Sequence, residues 1–335
     1  MNILVTGANG FIGSNLTKLL VGEKHNVKAM VLQGTSLNNL AGIECEIIYA
    51  DVSNPEMLQN IMNGIDVVYH LAAIPSVGWS KKIFNVNYYG TKNLIDEAIK
   101  SGVKRFIFMS SLVVHGFKNF VNADENTPLL KPGLLTRPYI RSKIRCEQML
   151  EKYKDKIETV IIRPAFNIFG PNDMLSTYEI IHRLEMKQIM GYVGKGEKKL
   201  GSVYVGNLVY GLLCAGTHPK ASGNKYVIAD NTPYNITVSS IFKIWSEKLQ
   251  IKPRVFSFPS AILYVIGFTI DTIHFFLLRK IMPLLSVYTV NSASYDLHFS
   301  CEKAMNEIGY KQQFSFNDAI EKTWQWYLNL KVKEN

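Results

Sequence analysis

The stretch NILVTGANGFIG, residues 2–13, decides the fold. Its first half is an uncharged apolar run typical of a short buried strand, and leucines recur at helical spacing after it. Gly7, Gly10 and Gly13 therefore lie on a strand-to-helix turn. In such a turn the first glycine allows the tight bend, the second lets a pyrophosphate approach the backbone, and the third lets the helix pack on the strand. The stretch predicts a dinucleotide site at a helix N-terminus.

Strands and helices alternate along the following residues. Further strands are predicted over 26–32, 45–50, 66–71, 105–109 and 159–162, and a helix over 87–100. This alternation is typical of a parallel sheet with helices on both faces. The predicted fold class is α/β, a doubly wound parallel sheet (Rossmann) with a smaller C-terminal substrate lobe. We expect the dinucleotide-binding domain to cover 1–170 and to regain 203–230, with the lobe formed by 171–202 and 231–335.

Ligands bind such sheets at the carboxyl ends of the strands, so the strand ends and the glycine turn are the expected site lining. The cofactor-binding residues assigned on this ground are Gly7, Asn9, Gly10, Phe11, Ile12, Gly13, Gln33, Asp51, Val52, Leu71, Ala72, Ala73, Ser110 and Pro164. Gln33 occupies the end of the second strand, where NAD enzymes usually carry an acidic residue and NADP enzymes an arginine. Neither charge is present there, although Gln33 could bond a ribose hydroxyl.

A tyrosine and a lysine four residues apart, Tyr139 and Lys143, form the candidate catalytic pair. Residues at this spacing share one face of a helix. The ammonium of Lys143 is predicted to lower the pKa of the Tyr139 phenol, which is ordinarily about 10. Tyr139 would then accept the proton of a substrate hydroxyl, or return it in the reverse direction. Ser111 is the candidate for holding the substrate oxygen. With the glycine turn, these residues indicate a redox enzyme.

Three further segments fit this interpretation. Residues 111–116, SLVVHG, place a serine five residues before a glycine; residues 163–170 read RPAFNIFG; and Asn87 lies in NVNYYGT, residues 85–91. In these segments the chain resembles the extended short-chain dehydrogenase/reductase superfamily over nearly its whole length. The resemblance implies that 163–170 lies near the nicotinamide. It therefore adds Asn87, Ala165 and Phe166 to the cofactor site, and it implies that Tyr139 and Lys143 also contact the cofactor.

The second half of the chain narrows the resemblance. The segments that carry it are VYVGN at 203–207, KYVIADNTP at 225–233, the apolar stretch from Phe258 to Arg279, Lys303-Ala304, Gly309-Tyr310-Lys311 and Trp324. They look like the 3β-hydroxysteroid dehydrogenase/isomerase family. That family implies interconversion of a 3β-hydroxyl and a ketone on a sterol- or steroid-like substrate, with NAD as the cofactor and NADP as the open alternative. The alternative activity is that of a nucleotide-sugar epimerase, dehydratase or reductase of the same superfamily.

Charge and composition limit which partners and ligands are expected for this chain. The net charge is +10, but no basic helix or aromatic platform accompanies it, so no nucleic-acid partner is expected. The histidines do not fall at metal-ligand spacings, so no metal is expected. The four scattered cysteines suit reduced thiols in the cytoplasm. The expected partners are a hydrophobic small-molecule substrate and a second copy of the chain in a homodimer.

Residues 255–290 are mostly apolar, interrupted by Asp271 and His274 and containing the basic pair Arg279-Lys280. A spanning helix needs about 20 apolar residues with few charges, so a span is not expected. Two alternatives remain open. One is an interfacial helix that makes a peripheral membrane contact, and the other is a helical lid over the substrate pocket.

Overall fold

The computed structural model describes residues 1–334 apart from 77, 189, 231–235, 278–282 and 284. The strands are β1 (Asn2–Thr6), β2 (Asn26–Val31), β3 (Glu46–Tyr49), β4 (Val67–His70), β5 (Arg105–Met109), β6 (Phe120–Ala123), β7 (Glu158–Pro164), β8 (Asn167–Phe169), β9 (Met190–Val193), β10 (Ser202–Tyr204), β11 (Lys225–Ile228), β12 (Val255–Phe258) and β13 (Leu297–Phe299). The helices are α1 (Phe11–Gly22), α2 (Lys81–Phe84), α3 (Gly90–Lys100), α4 (Pro138–Leu150), α5 (Thr177–Glu185), α6 (Val205–Thr217), α7 (Val238–Lys248), α8 (Ser260–Phe276), α9 (Val287–Ser294), α10 (Glu302–Ile308) and α11 (Phe316–Glu334).

Seven strands form one parallel sheet in the order β11-β7-β5-β4-β1-β2-β3. In β1, Val5 pairs with Ala29 of β2 on one side and with Tyr69 of β4 on the other. The chain moves outward through β2 and β3 and then crosses back to place β4 on the opposite side of β1. The strand order therefore reverses between β1 and β4, which is where such sheets bind their ligands. The predicted α/β fold, a doubly wound parallel sheet, is confirmed.

The core lies on both faces of this sheet. In β1, Ile3 and Val5 belong to one apolar cluster and Leu4 to the other, because successive side chains of a strand point to opposite faces. All three are fully buried. A strand covered on both sides must be apolar at every position, which explains why residues 3–5 form an unbroken apolar run.

The helix predicted over 87–100 is not uniform. Its first part, Asn85–Tyr89, is π-helical and continues α2, and only Gly90–Lys100 forms the α-helix α3. Gly90 lies close to the loop after β3, where an added Cβ would stand 2.7 Å from a methyl carbon of Val52. The wider turn is a local irregularity of a kind that is frequent at functional sites, and it contains Asn87.

The C-terminal part of the chain adds helices and short parallel pairs of strands. β8 pairs with β10, β9 with β12, and β6 with β13. A separate apolar cluster joins α5, α7 and α11 through Ile181, Leu184, Trp245 and Tyr327. Residues 231–233 and 278–279, which carry part of the family resemblance, and the basic pair Arg279-Lys280 lie outside the described residues. In the parts of the chain that the structure describes, no helix combines the length and the apolar character that a membrane span requires.

Candidate active site

The glycine turn has the geometry that a dinucleotide requires. Gly7 has a φ of +67°, a conformation that glycine adopts without strain, and Gly10 is the N-cap of α1. A Cβ added to Gly13 would stand 2.1 Å from the Gly7 carbonyl oxygen, so this glycine allows helix and turn to touch. A Cβ at Gly10 would meet only that oxygen, at 3.2 Å, which leaves the space beyond Gly10 open. These residues fit a pyrophosphate group lying at the start of α1.

Asn9 and Gln33 belong to the neighbouring loop. The Asn9 amide donates to Thr35 Oγ1 and to the Ser36 carbonyl oxygen, both at 2.9 Å, and so connects the glycine turn to the loop after β2. Gln33 is exposed two residues beyond the end of β2. The other predicted turn residues, Phe11 and Ile12, are half-buried in the first turn of α1. The structure thus places the turn and Gln33 at the same edge of the sheet.

The ends of β3 and β4 complete this edge. Asp51 accepts hydrogen bonds from both the backbone N–H and the hydroxyl of Ser53, and Val52 is buried under Gly90. Leu71, Ala72 and Ala73 follow β4 directly. The buried Asn87 amide accepts from Ile74 N at 2.8 Å and donates to Ile74 O at 3.2 Å. Asn87 therefore fixes the backbone of the loop after β4. This loop is the part of the predicted cofactor site that the Asn87 side chain contacts.

Tyr139, Lys143 and Ser111 are brought together across two elements. Tyr139 lies in the first turn of α4, and its phenol lies close enough to the Ser111 hydroxyl, just after β5, for the two groups to interact. The Lys143 ammonium donates to the Met109 carbonyl oxygen at 2.6 Å and lies 5.8 Å from the centre of the Tyr139 ring. Ser111, which is distant in sequence from the Tyr139–Lys143 pair, therefore meets that pair at the carboxyl end of β5.

The pKa of Tyr139 differs from the sequence-based expectation. Burial raises the pKa of this phenol well above 10. The neighbouring Tyr288 raises this pKa further, whereas the interaction with the Ser111 hydroxyl lowers it. Burial also lowers the pKa of Lys143 to about 8. The prediction that Lys143 lowers the pKa of Tyr139 is therefore wrong for this structure, because desolvation of the phenol outweighs the influence of its neighbours. Tyr139 is held in its neutral form, ready to donate a proton.

A buried ionic network lies beneath the catalytic residues. Glu147, one turn after Lys143 on α4, accepts from Ser110 Oγ at 2.5 Å and from Arg163 Nη2 at 2.6 Å. Arg163 also contacts His115 Nε2 at 3.2 Å. Ser110 is assigned to the cofactor from the sequence, and in the structure its hydroxyl is engaged with Glu147. The network connects α4 to the ends of β5 and β7 and so sets where Ser111 stands relative to Tyr139.

Aromatic side chains share the apolar surroundings of Tyr139. Phe117, Phe166 and Tyr288 pack, like Tyr139, against a small cluster of buried aliphatic residues that follow β5 or belong to α4. Pro164 ends β7, and Ala165 bonds the Ile228 carbonyl oxygen through its backbone N–H. This places the predicted loop 164–166 beside the phenol, in apolar surroundings.

Two important residues have no clear signal in the sequence. Arg137, the N-cap of α4, pairs through Nη2 with Asp271 Oδ1 of α8 at 2.5 Å, and both side chains are nearly fully buried. The guanidinium also lies 4.5 Å from the centre of the Trp79 ring, and Trp79 packs edge-on against Phe275. Position 137, next to the Pro-Tyr of the catalytic motif, is the only hint; nothing in the sequence marks Asp271 as its partner.

Comparison with known proteins identifies the family of the chain. The model of the 3-beta hydroxysteroid dehydrogenase/isomerase family matches residues 4–259. The chain belongs to this family. It is 27% identical to the 3 beta-hydroxysteroid dehydrogenase/Delta 5-->4-isomerase of Mycobacterium tuberculosis, over 98% of this chain and 90% of the relative. It is also 27% identical to a 3-beta-hydroxysteroid dehydrogenase of Mycolicibacterium neoaurum, over 98% and 92%.

The fold is shared more widely. A UDP-glucuronic acid 4-epimerase of Bacillus cereus, solved with UDP-glucuronic acid and NAD, superposes with a TM-score of 0.78 at 22% identity. The alignment covers 98% of this chain and all of the epimerase chain. The family and the fold confirm the predicted resemblance to the extended short-chain dehydrogenase/reductases. The chain is an NAD(P)-dependent oxidoreductase of that type.

Proposed function

We propose that this enzyme interconverts a 3β-hydroxyl and a ketone on a sterol- or steroid-like substrate, with NAD as the cofactor. The observation that carries the proposal is the Tyr139 phenol, which lies beside the Ser111 hydroxyl and packs with Phe117, Phe166 and Tyr288 against one apolar cluster. A proton donor in apolar, aromatic surroundings suits a secondary alcohol on a hydrophobic ring system. The 27% identity to two hydroxysteroid dehydrogenases supports the same substrate class.

The residues divide the work as follows. NAD, when bound along Gly7, Gly10 and the N-terminus of α1, supplies the hydride acceptor. Tyr139 Oη takes the proton of the substrate hydroxyl during oxidation and returns it during reduction. Ser111 Oγ, which lies beside that phenol, holds the same substrate oxygen. Because burial favours the neutral phenol, Tyr139 is in the form that donates a proton to the ketone oxygen, and it must first lose that proton before it can act as the base in oxidation.

A nucleotide-sugar substrate would require cationic side chains in the C-terminal lobe, because its diphosphate needs positively charged partners. Two arginines of this region have other partners. Arg137 is buried against Asp271, and Arg183 pairs with Glu179 at 2.9 Å on the surface of α5. This favours the hydrophobic substrate over the nucleotide-sugar alternative.

The test is to offer the purified enzyme NAD with a 3β-hydroxysteroid, its 3α epimer or a UDP-sugar, and to follow NADH formation. We expect turnover of the 3β-hydroxysteroid alone. Tyr139→Phe should lower kcat at least ~10²-fold while leaving the affinity for NAD nearly unchanged, because it removes only the proton-transferring oxygen. Tyr288→Phe is the matched control, since it removes a phenol oxygen from the same apolar cluster and should keep most of the activity. Turnover of the UDP-sugar instead, or a fully active Tyr139→Phe enzyme, would contradict the proposal.

A further inference from the structure

His70 is a buried histidine at the end of β4 that no step of the proton transfer uses. Its ring packs against those of Phe106 and Phe108 in β5, with ring centres 5.8 and 5.9 Å away. Both ring nitrogens nevertheless have a polar partner. Nδ1 lies 2.8 Å from the hydroxyl oxygen of Thr6 in β1, and Nε2 lies 2.9 Å from that of Thr91 in α3. The ring therefore joins two elements that are far apart in sequence.

The neighbouring hydrogen bonds fix which ring nitrogen carries the proton. Thr91 Oγ1 lies 2.6 Å from the Asn87 carbonyl oxygen, and two oxygens this close need a proton between them, which the Thr91 hydroxyl donates. A hydroxyl has only one proton, so Thr91 Oγ1 must accept from His70 Nε2–H. Nδ1 of the neutral ring then accepts the proton of the Thr6 hydroxyl. Thr6 Oγ1 in turn accepts from the backbone N–H of Ala72 at 3.1 Å.

The surroundings keep the His70 ring neutral. Burial lowers the pKa of His70 to about 3, with a further contribution from the nearby Lys143 ammonium. A protonated ring would donate from both nitrogens and would take away the acceptor of the Thr6 proton. The hydrogen bonds therefore run in one direction through five residues, which we call the His70 chain: Ala72, Thr6, His70, Thr91 and Asn87.

Both ends of the His70 chain hold the loop after β4. Ala72 lies directly against the glycine turn, since a Cβ added to Gly7 would stand 3.0 Å from the backbone nitrogen and from the Cα of Ala72. At the other end, the Asn87 side chain bonds both the N–H and the carbonyl oxygen of Ile74. The loop is thus fixed at residues 72 and 74, and the ring of His70 links the two side chains that fix it. This loop belongs to the edge of the sheet to which the nucleotide is assigned.

We propose that His70 is a positioning residue of the cofactor site. Its neutral ring, with the proton on Nε2, connects the glycine turn to the π-helical turn at Asn85–Tyr89 and so holds the loop after β4 in the shape that binds NAD. Packing between phenylalanine rings does not by itself require a histidine, because an apolar ring would fill the space without burying two polar nitrogens. This role in nucleotide binding is independent of which alcohol the enzyme oxidises.

Calorimetric titration of the full chain with NAD tests this role without any substrate. His70→Phe keeps an aromatic ring but leaves the Thr6 proton without its acceptor, and Thr6→Val leaves the Ala72 N–H without its acceptor. Each variant should raise the Kd for NAD roughly tenfold, because a buried group that holds the loop loses its hydrogen bond. Thr6→Ser retains the hydroxyl and should bind NAD like the wild type. Near-UV circular dichroism establishes that each variant is folded.

The two threonines should also be coupled through the ring. Thr6→Val and Thr91→Val act on opposite nitrogens of His70, so their effects on the Kd for NAD should not simply multiply in the double variant. In a His70→Phe background the two effects should become independent. Thr323→Val is the matched control for Thr91→Val, since its buried hydroxyl also bonds the carbonyl oxygen four residues earlier, in α11, and it should leave the Kd unchanged.

NMR of the wild type, labelled at its histidine nitrogens, reports the position of the proton directly. The signals of His70 are those missing in His70→Phe, and at neutral pH they should show a neutral ring protonated on Nε2. If His70→Phe does not fold, the signals are identified by their shift in Thr91→Val, and the two Thr6 variants carry the binding test.

Three results would overturn the proposal. The first is a His70 ring that carries its proton on Nδ1, or on both nitrogens, at neutral pH. The second is a folded Thr6→Val protein that binds NAD as tightly as the wild type or as Thr6→Ser. The third is a Thr323→Val protein that loses as much affinity for NAD as Thr91→Val, because the effect would then reflect a general loss of stability.

Discussion

The buried pair of Arg137 and Asp271 gives the most quantitative prediction. Replacing Asp271 with Asn removes one charge and leaves the Arg137 guanidinium buried beside the Trp79 ring, with only a neutral amide opposite it. Removing one partner of a buried ion pair typically costs about 3–5 kcal/mol, because the other charge loses both water and counterion. The side chains of Arg137 and Asp271 are only 5% and 10% exposed, so solvent cannot replace the lost partner. We expect a loss of at least about 3 kcal/mol in the free energy of unfolding.

The double variant Arg137→Leu/Asp271→Leu distinguishes the cost of leaving one buried charge without its counterion from the cost of changing the packing at this position. Replacing both members of such a pair by apolar side chains is often nearly neutral. The double variant should therefore be more stable than Asp271→Asn alone. Urea unfolding followed by tryptophan fluorescence is a suitable assay, since Trp79 contacts both Arg137 and the Phe275 ring of α8.

The same variants should alter catalysis. Arg137 is the N-cap of α4 and lies two residues before Tyr139. Loss of the carboxylate charge opposite this guanidinium should displace the start of α4, so kcat should fall in Asp271→Asn while binding of NAD at the distant glycine turn is retained. If the losses of stability in Arg137→Leu and Asp271→Leu simply add in their double variant, or if the Asp271→Asn protein is as stable and active as the wild type, the reasoning is refuted.

Two further predictions concern the nucleotide turn and acid sensitivity. Gly10→Val should abolish NAD binding in a folded protein, because the valine side chain enters the open space beside the turn, whereas Gly13→Ala should destabilise the fold, because its Cβ would stand 2.1 Å from the Gly7 carbonyl oxygen. Calorimetric titration with NAD measures the first effect and thermal unfolding the second. A Gly10→Val protein that binds NAD normally would be inconsistent with the assignment. Burial lowers the pKa of His70 to about 3 and that of His115 to about 4. Below pH 6.5 the unfolded chain therefore binds more protons than the folded chain. The free energy of unfolding should fall as the pH decreases from 6.5 towards 4, by about 1.4 kcal/mol per pH unit for each histidine. His115→Phe should reduce that slope in urea unfolding between pH 6.5 and 5, and an unchanged slope would contradict the account.

The sequence predicts the nucleotide half of the fold well because its signals are local. β1 and β5 occupy the residues expected for them, since unbroken apolar runs end at the glycine turn and at Ser110-Ser111. The glycine turn and the Tyr139–Lys143 spacing each depend on a few adjacent residues. Such patterns are set by backbone geometry and helical periodicity, which do not require knowledge of distant contacts.

What the sequence does not reveal depends on contacts between distant residues. The partner of Arg137 lies 134 residues away in α8, in a segment whose composition suggests only apolar surface. The pKa of Tyr139 is set mainly by desolvation, and the i to i+4 spacing of Tyr139 and Lys143 carries no information on burial. The π-helical turn at Asn85–Tyr89 similarly depends on how Asn87 reaches Ile74. Asp271 appears in the sequence as an interruption of an apolar stretch, whereas in the fold it attaches that stretch to the catalytic helix.

Glu147 has a consequence for how this enzyme could diversify. Through Ser110 and Arg163 it joins the helix of Tyr139 and Lys143 to two strands of the central sheet, and all of these contacts lie inside the nucleotide-binding half. The alignment of the reactive groups is therefore carried by a frame that the C-terminal helices do not help to build. Recombination or laboratory grafting could exchange the segments around α8 for those of another family member and change the substrate that the enzyme accepts. The geometry of the proton-transferring residues would stay the same.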